Sequence, residues 1–294
     1  MRIVRSKAEL REALEPARHE GRRIGLVPTM GYFHEGHLSL MRAARRESDV
    51  VVVSLFVNPT QFGPGEDLNS YPRDAERDAE LAETEGVDLL WVPAAEEMYP
   101  EGFATTVEVG GDLTRVLEGD PAQRGPEHFR GVTTIVAKLF NAVQPDAAYF
   151  GRKDAQQALV IRRMTEDLDF PVEIRVLPTV REDDGLALSS RNAYLSREER
   201  ERALAISRGL RAAERAAAGG ETSIAALVEA ARAELRNAGI EPEYVEARSA
   251  EDLSPIADLN GRPVLVAVAA RVGKARLIDN VVIDRIPANQ RTEA

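Results

Sequence analysis

The chain contains no cysteine. Disulfides, thiolate metal sites and cysteine nucleophiles are therefore excluded. No apolar run is long enough to span a bilayer, and Met1 to Lys7 lack the apolar core of a signal peptide. Positive charge is in deficit: 38 Lys and Arg against 49 Asp and Glu leave a net charge of −11. An acidic surface repels nucleic acid and anionic lipid, so neither is expected as a partner. The expectation is a cytoplasmic enzyme acting on small molecules. Any anionic substrate would need a local concentration of cationic and N–H donors, set against the overall sign.

What is present is an ordinary globular balance, 44% apolar and 30% charged over 294 residues. That length suffices for one large or two ordinary domains with real cores. Short apolar runs over 24–28, 50–57, 88–92, 147–150 and 172–177 read as strands. Amphipathic segments over 38–47, 74–85, 131–143 and 155–168 read as helices. Residues 50–57 are β-branched and nearly all apolar, as in a strand buried on both faces. Alternating strands and helices predict a doubly wound parallel α/β sheet, Rossmann-like, with ligands at the carboxyl ends of its strands. No G-x-G-x-x-G follows the 24–28 strand, so the ordinary dinucleotide fingerprint is missing.

The texture changes after about Arg191. Ser196 and Glu199 form a capping box that opens a long helix to about Ala218. Gly219-Gly220 breaks it, a helix over 224–238 follows, and strands are expected over 244–248, 263–270 and 276–282. This predicts a Rossmann-like domain over 1–184 and a smaller C-terminal α+β domain over 185–294. The tail after Ile286 is polar and reads as loose.

Four segments carry candidate chemistry. Pro28 to His37 joins the 24–28 strand to the first helix of that series and holds two of the four histidines, His34 and His37. A helix N-terminus offers free N–H groups and partial positive charge, which suits phosphate. Gly36 would let the backbone approach a ligand, and the imidazoles could donate to phosphate oxygens as charge develops. A plain cap with two exposed histidines is the alternative. A zinc site is disfavoured, because no third histidine or cysteine lies near.

The second segment, Val57 to Gly63, carries Asn58 and Gln61, whose neutral amides suit hydroxyls and carboxylates together. Alternatively it is only a turn. The third, Tyr149 to Gln157, brings Lys153 as a phosphate point charge. Its Asp154 could meet a ribose hydroxyl or cap a helix, and Gln157 lies one turn on. A solvated charged loop would look the same. The fourth, Leu186 to Asn192, contains Ser189, Ser190 and Arg191, able to clamp phosphate oxygens or to cap a helix. A weaker region over 124–131, with two arginines and a histidine, reads as a mobile loop over substrate or as plain surface. All four principal segments follow strands, and that convergence on one sheet edge favours a site over four separate decorations.

His34-Glu35-Gly36-His37 resembles the H-x-G-H signature of the nucleotidyltransferase superfamily that includes class I aminoacyl-tRNA synthetases. Further motifs resemble the pantothenate synthetase family, in that family's order. They are Pro28-Thr29-Met30-Gly31, Asn58-Pro59-Thr60-Gln61-Phe62-Gly63, Tyr71-Pro72-Arg73, His128-Phe129-Arg130-Gly131-Val132, Lys153-Asp154-Ala155-Gln156-Gln157 and Ser189-Ser190-Arg191-Asn192. The likeness runs from about Ile24 to Tyr194.

The resemblance implies condensation of pantoate with β-alanine. ATP would activate pantoate as pantoyl adenylate, Mg²⁺ would accompany the ATP, and the enzyme would be a homodimer. It further implies that Met30, Gly31, His34, Gly36 and His37 line the ATP site, with His37 as proton donor. Gly151, Arg152, Lys153, Asp154, Val180, Leu188, Ser189, Ser190 and Arg191 would also bind ATP. His34, His37 and Lys153 would be the catalytic groups. Gln61, Gln157 and Asn58 would hold pantoate, and Gln61 would border β-alanine. Superfamily members that leave the nucleotide on a large acceptor are disfavoured by the small polar pocket that these amides would build.

Two positions depart from the family pattern. Arg152 stands where Glu or Gln is frequent, and Tyr32-Phe33 is bulkier than usual, enough to narrow the adenine side. Asp78 is a candidate magnesium contact or a surface carboxylate.

Overall fold

The computed structural model describes residues 1–63, 66–259 and 262–284. The tail read as loose from the sequence lies outside the described residues. Strand β1 (Arg2–Val4) and helix α1 (Lys7–His19) come first, the helix entered through a Ser6–Glu9 capping box. Neither is legible in the sequence pattern. The strand has three residues, too few to show alternation, and Pro16 interrupts the helical pattern.

The remaining elements of the first half are β2 (Ile24–Thr29), α2 (Glu35–Glu47), β3 (Val50–Leu55), α3 (Ala75–Thr84), β4 (Leu89–Trp91) and α4 (Ala95–Met98). After them come α5 (Pro126–Val143), β5 (Ala147–Gly151), α6 (Ala155–Asp167) and β6 (Glu173–Leu177). The six strands form one sheet in the order β1-β4-β3-β2-β5-β6, with neighbours paired in parallel. From β2 the chain first winds outward through β3 and β4, then returns to lay β5 on the other side of β2. That reversal is the switch point at which open α/β sheets bind ligands.

Period-two alternation divides the sheet's faces. Leu26, Val50, Val52 and Ala148 pack with α1, α5 and α6, while Val27, Val51, Val53 and Ala147 pack with α2 and α3. Both faces of β3 are buried, as its composition predicts.

Helices α7 (Arg197–Ala218) and α8 (Ile224–Asn237) follow, then β7 (Pro242–Ser249), β8 (Val264–Val272) and β9 (Ala275–Ile283). The last three strands form an antiparallel sheet with β8 in the middle. Val264, Val266 and Val268 on one face of β8 pack with α7 and α8. Leu265, Ala267 and Ala269 on the other face pack against Leu117, Ala155 and Leu159 of the first half. The small sheet is therefore sandwiched between its own helices and the parallel-sheet layer.

Candidate active site

At the carboxyl ends of β2, β3, β5 and β6 lies a hollow of about 230 Å³. All four sequence-predicted segments reach it, through residues that include His37, Gln61, Lys153 and Arg191. Met30, His34, Gly36, Gly151, Asp154 and Gln157 line it as well. So do Val180, Leu188, Ser189 and Ser190. Their assembly follows from the parallel sheet, which sends every one of these connections out on the same edge.

The histidine pair is both a cap and a wall. His34 is the N-cap of α2, and its Nδ1 accepts from the Gly36 N–H at 3.1 Å. His37 Nδ1 accepts from the His34 N–H at 3.4 Å, and the two rings lie 4.2 Å apart. With both Nδ1 atoms facing donors, each neutral ring carries its proton on Nε2. Gly36 is needed for a reason other than ligand approach: a Cβ there would come within 2.8 Å of the His34 ring. Burial, then the Lys153 charge, pushes His34 down to about 4. Burial, then His34, then Lys153, holds His37 well below the ordinary imidazole range. In the free protein the His37 ring is therefore neutral, with its Nε2–H available as a donor, whereas the sequence reading makes it a proton donor.

Asn58 corrects another expectation. Its amide is committed inside the protein. Nδ2 donates to the Gly131 carbonyl at 3.1 Å and to Gln61 Oε1 at 3.2 Å, while Oδ1 accepts from the Tyr99 hydroxyl at 2.7 Å. A carbonyl can only accept, so Gly131 fixes which end of Asn58 is the NH₂, and that in turn fixes which end of Gln61 is the oxygen. The Gln61 NH₂, now beside Met30 Sδ at 3.1 Å, is left as the donor on the hollow's wall. Asn58 borders the hollow but orients Gln61 and has no polar atom left for substrate.

Several other positions fall outside the hollow. Gly31 supports it from behind with φ +90, and a Cβ there would lie 3.0 Å from Asp78 Oδ2. Arg152 is exposed and directs only its carbonyl inward, where Asn280 meets it. Tyr32 and Phe33 do not reach the hollow, so they do not narrow it. Asp78 is neither a surface carboxylate nor available to a metal. It is 1% exposed, and its oxygens accept from the Tyr32 and Phe33 N–H groups, both at 2.6 Å. It holds the turn that delivers His34.

The 124–131 region is mostly the first turn of α5, with Pro126 at its start. Arg124 pairs with Glu66 at 2.7 Å, and His128 Nδ1 donates to the Gln61 carbonyl at 2.7 Å. Asp154 makes no cap bond and lies half-exposed at the mouth, so of its two readings capping is the one that fails.

On the opposite side, residues 180–188 form a short hairpin. Leu188 N–H donates to the Val180 carbonyl at 3.0 Å, so both side chains border the hollow at its base. Ser189 accepts from the Arg191 N–H at 3.3 Å, and Ser190 meets the Tyr71 hydroxyl at 3.3 Å. The sequence reading missed the apolar end of the hollow, built from Phe56, Val132, Ile135, Val136 and Leu139. On an amphipathic helix such residues carry the same signal as core, and no pattern in one sequence separates wall from core.

The lowered imidazoles link pH to stability. Below the ordinary 6.5, unfolded His34 and His128 take up protons that the folded chain refuses until about 4. The same direction holds for His37. The unfolded state binds more protons in that window, so stability is lost as pH falls through it. Urea unfolding at pH 5 should give a stability lower than at pH 7 by a few kcal/mol, on the order of 1–2 per histidine. His128→Gln should remove one share of that difference. Equal stability at the two pH values would contradict the burial of these rings.

No cluster of three or more His, Asp or Glu suited to a metal occurs among the described residues. No helix among them is long and apolar enough to cross a membrane.

The profile of the pantoate–β-alanine ligase family matches residues 2–282. The pantothenate synthetase of Moorella thermoacetica is 56% identical over 286 residues, which cover 97% of this chain and 99% of that protein. Pantothenate synthetase 1 of Bradyrhizobium diazoefficiens is 54% identical over 289 residues, 98% of this chain and 100% of that one. The crystal structure of pantothenate synthetase from Thermus thermophilus superposes with a TM-score of 0.91 at 51% identity, covering 97% of this chain and 100% of that one. The pantoate–β-alanine ligase of Francisella tularensis, solved in complex with β-γ ATP and β-alanine, gives a TM-score of 0.80 at 32% identity, covering 96% and 97%.

Proposed function

The chain belongs to the pantoate–β-alanine ligase family, and from that premise we propose how its hollow carries out an ATP-dependent condensation of pantoate with β-alanine. In the first half-reaction the pantoate carboxylate attacks the α-phosphorus of ATP, forming pantoyl adenylate and releasing pyrophosphate. In the second, the β-alanine amine attacks the acyl carbonyl, forming the amide of pantothenate and releasing AMP. The observation that carries this reading is the hollow itself. It joins an apolar end bearing the Gln61 NH₂ to a cationic end bearing Lys153 and Arg191, beside the N-terminus of α2.

Pantoate fits the first end. Its geminal methyls suit Phe56, Val132 and Val136, and its hydroxyls and carboxylate suit Gln61 and Gln157. The phosphates suit the second end, where Lys153, Ser189, Ser190 and Arg191 offer donors on several sides. Between them, the Nε2–H groups of His34 and His37 face the charge that builds on the α-phosphate. Neutral rings suit this place because each still donates from Nε2–H while avoiding the cost of burying an imidazolium. Lys153 adds full charge at 19% side-chain exposure, where water screens it poorly. Arg124 and His128 border a smaller adjoining cavity together with Gln61. Arg124 is already paired with Glu66, so a carboxylated amine entering there would meet its cations in Lys153 and Arg191, which border both cavities.

Magnesium fits as an ion carried in on the triphosphate, since it usually takes most of its coordination from substrate phosphates. Asp154 is the carboxylate on the hollow's edge that would face it, and its chemistry would be to offset charge on the leaving pyrophosphate. The resemblance implies an enzyme that works in the cytoplasm as a homodimer, and the division into two domains falls near residues 184–185.

The test is exchange of labelled pyrophosphate into ATP without amine. Exchange should require pantoate, and AMP should accumulate only when β-alanine is added. Exchange independent of pantoate, or none at all, would overturn the reading.

A further inference from the structure

The adjacent pair Asp279–Asn280 on β9 of the small C-terminal sheet lines the adjoining cavity and not the hollow itself, but it grips the segments that carry the hollow's nucleotide side. Asp279 and Asn280 are 4% and 5% exposed. Neighbouring residues of a strand point to opposite faces, and the two side chains grip different segments. Asn280 Nδ2 donates to the Arg152 carbonyl at 3.0 Å and to the Lys153 carbonyl at 2.8 Å. Asp279 receives Arg181 in a two-pronged ion pair, at 2.6 and 3.0 Å. Arg181 also donates to the Gly185 carbonyl at 3.2 Å, closing the hairpin whose base carries Val180 and Leu188.

We propose that Asp279 and Asn280 are positioning residues for adenylation: one two-residue step holds both the turn that carries Lys153 and the hairpin that leads to Ser189, Ser190 and Arg191. Neither side chain is assigned contact with substrate; each acts through a segment that does. The Asn280 grip is specific in its chemistry. Both of its partners are carbonyls, which only accept, so the NH₂ of the amide is required and an isosteric carboxylate would face two like dipoles. Asn280 Oδ1 is left buried without a partner, a cost that a purely apolar packing residue would avoid. No side chain caps the helix that begins there, and its next anchor is Gln156, which bonds Leu113, Val116 and Glu118 on the far side of the turn. The small sheet is thus part of the active site, although its strands carry none of the four motifs.

The inference rests on Lys153 meeting ATP phosphates, and the experiment keeps its failure apart from failure of the family reading. ATP affinity, measured by calorimetry without pantoate, and pantoate-dependent pyrophosphate exchange are compared for Asn280→Ala, Asn280→Asp and Asp279→Asn. Asn280→Asp keeps size and strand register, so it remains informative if the alanine variant does not fold. The Asn280 variants should weaken ATP roughly tenfold and slow exchange by about 10- to 100-fold, the range expected when a reacting group is displaced by about an ångström. The KM for pantoate should change less than twofold. Asp279→Asn should raise the KM for ATP.

The Asn280 substitutions in a Lys153→Ala background should have little further effect, because the group they position is gone, whereas Asp279→Asn, which acts through the hairpin, should keep its effect there. Unchanged ATP affinity and exchange in the Asn280 variants would overturn the proposal. So would an undiminished penalty in the Lys153→Ala background, which would mark Asn280 as scaffold only. If the parent protein binds ATP but shows no exchange, the proposed reaction fails while the affinity comparison still decides on the Asp279–Asn280 pair.

Discussion

His37→Ala is expected to slow adenylation by roughly 10²- to 10⁴-fold, the range for removing one donor aimed at developing charge or one general acid. The measurement is single-turnover formation of pyrophosphate with ATP and pantoate in excess. Stability should fall little, by about 1 kcal/mol, because the ring's bond to the His34 N–H is long, 3.4 Å, and its further support is ring contact with His34 and Phe33. The geometry adds a sharper expectation. Because the ring is held neutral well below the ordinary imidazole range, kcat/KM for ATP should show no inflection near pH 6.5. A protonated His37 acting as acid would give a descending limb there as pH rises. An unaffected rate in His37→Ala would remove the residue from the mechanism, and a limb near 6.5 that vanishes in the variant would restore the proton-donor role.

Gly131→Ala is expected to be among the most damaging single-methyl changes in the chain. Ordinarily alanine in a helix interior is better than glycine by about 1 kcal/mol, so a free site in α5 would be stabilised. Gly131 is not free. A Cβ there would lie 2.3 Å from the Thr60 carbonyl oxygen and 2.8 Å from Gln61 Cα, both backbone atoms that no rotamer change can move aside. Overpacking of this kind costs about 1–3 kcal/mol or more, which outweighs the propensity gain and sets the sign.

Relief requires the 59–61 turn to leave α5. That breaks the Asn58 bond to the Gly131 carbonyl, and with it the constraint that turns the Gln61 NH₂ toward the hollow. The KM for pantoate should therefore rise at least roughly tenfold, with ATP affinity nearly unchanged. Thermal unfolding and the two binding measurements together check this. A variant as stable as the parent with an unaltered KM would show that the turn tolerates displacement.

The sequence by itself determined the parallel α/β sheet, the small sheet with its two helices, and the segments that meet at one edge. The reason is local pattern: the β-branched run Val50 to Val53 favours a strand covered on both sides. The candidate residues were legible because they interrupt such patterns soon after strands, as His34, Gln61 and Lys153 do, while Arg191 follows β6 only after the 180–188 hairpin.

Only tertiary structure decided which polar groups remain available to a substrate. Asn58 and Gln61 carry the same amide, yet a carbonyl 73 residues from Asn58 commits one to the interior and orients the other toward the hollow. Asp78 looks like any helical carboxylate until the Tyr32 and Phe33 amides are found on it. The β9 hook and the apolar end of the hollow were hidden for the same reason. A hydrogen bond or a packing contact between distant segments leaves no period in the sequence, because it is set by where the folded layers bring them together.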